Sequence, residues 1–86
     1  MNINELIEIV KSKIEAETVI QDIRIEDKSF LHKKHKGHQE GKFHLKLSIK
    51  SNELAKFNKI EATKKVYSIL EKELKEHIHS IQVFFN

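Results

Sequence analysis

Between Ile3 and Ile14 the apolar residues Ile3, Leu6, Ile7, Val10 and Ile14 recur at the spacing of one helix face. Asn4 is placed to cap the first turn, with Glu5 and Glu8 close behind it. The period then falls to that of a strand. From Val19 to Asp27, Ile23 and Ile25 alternate with Asp22, Arg24 and Glu26; from Phe43 onward, Phe43, Leu45, Leu47 and Ile49 alternate with His44, Lys46, Ser48 and Lys50. His44 is therefore expected to point away from the apolar face. Ser51 or Asn52 can cap a short helical turn over Glu53 to Phe57, after which Ile60, Thr63, Val66, Tyr67, Leu70 and Leu74 predict one longer helix ending near Glu76 or His77. Ser80 to Phe85, rich in Ile, Val and Phe, reads as a terminal strand.

The predicted order is α-β-β-α-α-β, in a single domain spanning residues 1–86. The first two strands are read as antiparallel neighbours, and the later helix as a crossover that lets the last strand run parallel to the second. The expected fold is thus a small α/β (α+β) domain with a three-stranded mixed sheet. Its topology brings the long connection, His44 and His79 to one end of the sheet.

That connection, Ser29 to Lys42, has no periodicity. It contains both glycines, Gly37 and Gly41, together with four lysines and three histidines, and it exceeds ordinary hairpin length, a mark of functional or disordered loops. The spacing of His32, His35 and His38, followed by His44, would suit a metal held by imidazole. A solvated Lys/His loop is the plainer reading, and His77 reads as an exposed residue of the last helical turn.

Composition narrows the chemistry. The chain has no cysteine, so it cannot by itself form a disulfide, a thiolate zinc site or a thiolate-held iron-sulfur cluster. It shows no nucleophile elbow, Walker loop or dinucleotide fingerprint, and its carboxylates are expected on solvated helix faces, so binding is expected and an enzyme is not. No stretch approaches the roughly 18 apolar residues of a membrane span, and the start of the chain lacks a signal-peptide pattern, which leads to the expectation of a cytoplasmic protein without a membrane partner. A formal charge of +3 points weakly toward anions, but Arg24 is the only arginine among 16 basic residues. Lys33, Lys34, Lys36, Lys56, Lys59, Lys64 and Lys65 are the candidates for phosphate contacts.

Four local patterns, in this order, resemble the BolA family. They are Asp27-Lys28-Ser29 followed by His32 and His35, Gly37-His38 leading to Phe43-His44-Leu45, the strand end Ile49-Lys50-Ser51, and Val66-Tyr67 followed by Leu70, Glu73-Leu74 and Ile78-His79-Ser80-Ile81. The resemblance spans roughly Leu6 to Phe85. It implies a class II KH-like architecture with the helices on one face of the sheet, and a heterodimer with a monothiol glutaredoxin in iron-sulfur assembly or iron homeostasis. In that role a 2Fe-2S cluster is shared: the glutaredoxin and glutathione hold one side, and the BolA-like chain, which binds no cluster when isolated, offers two ligands. The first matches His79; the second is His35, His38 or His44. The resemblance also implies an alternative, a DNA-binding regulator of transcription in stress response and morphology, for which Lys56, Lys59, Lys64 and Lys65 are the candidate contacts. Ala62-Thr63-Lys64 stands where the family usually has Arg-His-Arg, which removes two arginines from that surface. Alone, the chain is expected to be a monomer or a weak homodimer.

Overall fold

The computed structural model describes residues 2–29 and 42–86. The order is helix α1 (Ile3–Glu17), strand β1 (Asp22–Asp27), strand β2 (Phe43–Lys50), a 3-10 turn (Leu54–Lys56), helix α2 (Lys59–Ile69), helix α3 (Glu71–Glu76) and strand β3 (Ile78–Phe85). The sheet order is β1-β2-β3, with β1 antiparallel and β3 parallel to β2. The mixed sheet and its strand directions are those the periodicity predicts.

Helix α1 is capped by Asn2, not Asn4. The Asn2 side chain accepts from the Glu5 backbone N–H at 2.9 Å, and its amide donates to the Glu5 carboxylate at 2.8 Å, so both ends of a capping pair are engaged. An acidic residue three positions on distinguishes Asn2 from Asn4. Leu6, Val10 and Ile14 then form a fully buried stripe. They pack with Leu45, Leu47 and Ile49 of β2, Ala62, Val66 and Leu70, and Ile78, Ile81 and Val83 of β3 in one core.

The long helix predicted after Asn58 is interrupted at Leu70. Asn58 caps α2 through the Glu61 N–H, and Leu70 leaves helical geometry between α2 and α3. The buried stripe is Ala62, Val66, Leu70 and Glu73, rotated from the predicted one, and Ile60 is 69% exposed. Ala62, Val66 and Leu70 recur at every fourth position and so share one face. A carboxylate expected in solvent is thereby buried. Glu73 is tolerated there because Lys13 of α1 donates to both of its oxygens, at 2.7 and 3.0 Å.

Strand β3 starts two residues earlier than predicted, at Ile78. Its pairing with β2 slips once: Phe43 stands opposite Ile78 and His44 opposite Ser80, so His79 is an extra residue in a β-bulge. Among the described residues, no helix is long and apolar enough to cross a membrane.

Candidate functional site

The starts of β2 and β3 and the end of β1 meet at one end of the sheet. Asp27 and Ser29 shape the exit from β1: the Ser29 N–H donates to the Asp27 carboxylate at 2.9 Å, a local Asx turn. This turn aims the Ser29 hydroxyl at β2, where it accepts from the His44 N–H at 3.0 Å, while the Lys28 N–H donates to the His44 carbonyl at 2.7 Å. The His44 backbone is thus clamped by the Asp27-Lys28-Ser29 segment. On its other side, Nδ1 of His44 is hydrogen-bonded to Ser80 Oγ at 2.6 Å.

Alternation puts His44 on the face opposite Leu45 and Leu47, as expected, yet the residue is 5% exposed and not solvated. Its ring stacks obliquely on His79, with centroids 4.8 Å apart and planes inclined at 57°. The bulge explains the meeting. Alternation from the inward Ile78 turns His79 to the face of His44, and as the inserted residue of the bulge it shares that side with Ser80 and is left exposed. One buried imidazole and one exposed imidazole therefore adjoin at the sheet end.

Of the four residues considered as cluster ligands, His79 and His44 are brought together. His35 and His38, like His32, lie outside the described residues. His77 is not a freely exposed side chain of the last turn: it is half-buried, caps α3 through its backbone N–H to Glu73, and lies 3.6 Å from the Glu76 carboxylate. Among the described residues, no group of three or more histidines or carboxylates is arranged to hold a metal alone. The two adjoining imidazoles do not make a complete metal site by themselves. The candidate phosphate-binding lysines Lys56, Lys59, Lys64 and Lys65 are all exposed, on the 3-10 turn and α2.

Sequence reasoning missed the roles of Ser29 and Ser80. For Ser80 a signal exists: apolar residues Ile78, Ile81, Val83 and Phe85 alternate except for one gap of three, and that gap is where the bulge falls. For Ser29 the signal is the Asp27-x-Ser29 turn facing a paired strand.

Comparison with known proteins agrees with this architecture. The BolA domain of SufE1 from Arabidopsis thaliana superposes with a TM-score of 0.77 at 24% identity, over 92% of this chain and 87% of that one. BolA1 from Arabidopsis thaliana gives 0.78 at 24% identity over the same shares. At this identity the likeness establishes the fold. No significant match is found among curated protein sequences. The family model described as BolA-like protein matches residues 14–85, which takes in both strands of the histidine pair and all of the crossover, and the chain belongs to the BolA-like family.

Proposed function

We propose that this chain is a binding protein that partners a monothiol glutaredoxin and completes a 2Fe-2S cluster shared with it, in iron-sulfur assembly or iron homeostasis. The observation that carries the reading is the His44–His79 pair in a chain without cysteine. His79 is the first ligand, because it is exposed and set forward by the bulge. His44 is the nearest candidate for the second, with His35 and His38 as the others.

What the chain's own residues do is hold and aim. Ser29 and Lys28 fix the His44 backbone, and Ser80 holds its ring at Nδ1. When bound, the cluster supplies electron-transfer chemistry, and ligation by imidazole in place of thiolate raises its reduction potential. Imidazole ligands also release a metal on protonation, which suits reversible sharing.

Anaerobic mixing with a cluster-loaded monothiol glutaredoxin tests the reading. Wild type should change the visible absorption and circular dichroism of the cluster, and His79→Ala should abolish the change. Separate alanine variants of His44, His35 and His38 identify the second ligand. Identical spectra and complex yields for wild type and His79→Ala would overturn the assignment.

A DNA-binding role through Lys56, Lys59, Lys64 and Lys65 is the second reading, supported by the exposure of all four. Its signature is an affinity falling with salt at a log-log slope of roughly −0.9 per phosphate contact.

A further inference from the structure

A second feature lies at the other end of β3 and does not rest on the cluster reading. Five residues along an extended strand separate Phe84 from His79 by about 16 Å. There a hollow of about 250 Å³ opens between the 3-10 turn, the first turn of α2 and the end of β3. Leu54 and Ala62, both buried, close its inner side; Phe57, Phe84 and Phe85 form its walls, and Lys59 stands on its rim. Phe57 is 37% and Phe84 43% exposed, although both are large apolar side chains in a domain with few of them.

The charges around this hollow are unbalanced. Lys65 places its ammonium 5.0 Å from the centroid of Phe57, and Lys46 places its own 5.1 Å from that of Phe84. Lys59 and Lys65 have no carboxylate partner among the described residues. From Glu53 to Lys65, four exposed lysines, Lys56, Lys59, Lys64 and Lys65, stand against two carboxylates, Glu53 and Glu61, while Lys46 is paired with Glu26 at 3.8 Å. The rim therefore presents excess positive charge around an apolar hollow.

Size and geometry select the occupant. The volume is below the roughly 300–1,000 Å³ of small-molecule sites and suits one bulky side chain. No arginine lines the hollow, so the planar fork suited to phosphate is missing there, and its lining is apolar apart from Lys59. We propose that this hollow docks an acidic segment of a partner protein, which inserts one aromatic side chain between Phe57 and Phe84 while its carboxylates pair with Lys59 and Lys65.

The probe is a short synthetic peptide of aspartate and glutamate around one central tryptophan, titrated into the full chain and followed by amide NMR and tryptophan fluorescence. Amides of Leu54 to Lys59 and of Phe84 and Phe85 should shift, while those of His44 and His79 stay in place. Lys59→Glu and Lys65→Glu, both at exposed positions, should each weaken binding about tenfold, a typical loss for reversing a charge beside an anionic ligand. The same peptide with serine for tryptophan should bind much more weakly. Equal binding of the serine peptide, no amide shifts at the hollow, or tighter binding of oligothymidylate at the same amides would each overturn the proposal.

Discussion

Ser80 Oγ and Nδ1 of His44 are hydrogen-bonded at 2.6 Å between residues that stand opposite each other in the β2–β3 register. Because the His44 residue is buried, water does not readily replace this hydrogen bond when it is lost. Ser80→Ala is expected to lower the unfolding free energy by about 1–2 kcal/mol, measured by urea denaturation. Ser80→Thr, which keeps the hydroxyl on an exposed strand position, should retain most of the stability. Equal stability of wild type and Ser80→Ala would show that the bond contributes nothing.

Lys13 and Glu73 tie α1 to α3 across the core edge. The Glu73 side chain is 5% exposed and that of Lys13 39%, so the carboxylate depends on the ammonium for its solvation while the ammonium keeps contact with water. Lys13→Met should therefore cost about 2–3 kcal/mol, less than the 3–5 typical of a pair buried at both ends. The double variant Lys13→Met/Glu73→Leu should recover most of that loss, because two apolar side chains of similar volume need no compensation. A double-mutant cycle in urea reads the coupling directly; additive losses would mean that the pair is not coupled.

Two asparagines near the N-terminus look alike in the sequence but should behave differently. Asn2→Ala removes the cap of α1 and should cost about 1 kcal/mol, as should Asn58→Ala for α2. Asn4→Ala, at an exposed helical position, should stay within about 0.5 kcal/mol of wild type. Thermal melts of the three variants suffice. A larger loss for Asn4 than for Asn2 would relocate the helix start.

The contrast between those two asparagines shows where the chain was legible before folding. Periodicity reports whether a segment is helix or strand, because burial of one face is a property of that segment alone. It therefore placed α1, β1, β2 and the crossover, and it brought His79 and His44 to one end of the sheet. What it missed depends on a single residue's partner elsewhere. The burial of Glu73 depends on a lysine sixty positions away, and that of His44 on the hydroxyls of Ser29, just after β1, and of Ser80 in β3. For the bulge a trace existed: the three-residue gap from Ile78 to Ile81 marked it.

That gap permits a sharper test of His79 than replacing its side chain. Because Phe43 already faces Ile78 and His44 already faces Ser80, deletion of His79 converts an irregular pairing into consecutive register pairs without moving either neighbour. Ile81 and Val83 keep their inward direction, and Ser80 keeps its place against His44. The deletion variant should fold with a stability within about 1 kcal/mol of wild type, yet lose the spectral change with cluster-loaded glutaredoxin as completely as His79→Ala. Deletion of Gln82, three residues further on, serves as the opposite case. It removes a residue from a regular stretch, so either Val83 and Phe85 or the residues before them must turn to the wrong face. Burial of Ile81 and Val83 in the core makes that flip costly, on the order of the 2–5 kcal/mol lost when a large core side chain is removed. If both deletions unfolded the protein alike, His79 would belong to the regular strand, and the bulge would not be what presents its imidazole.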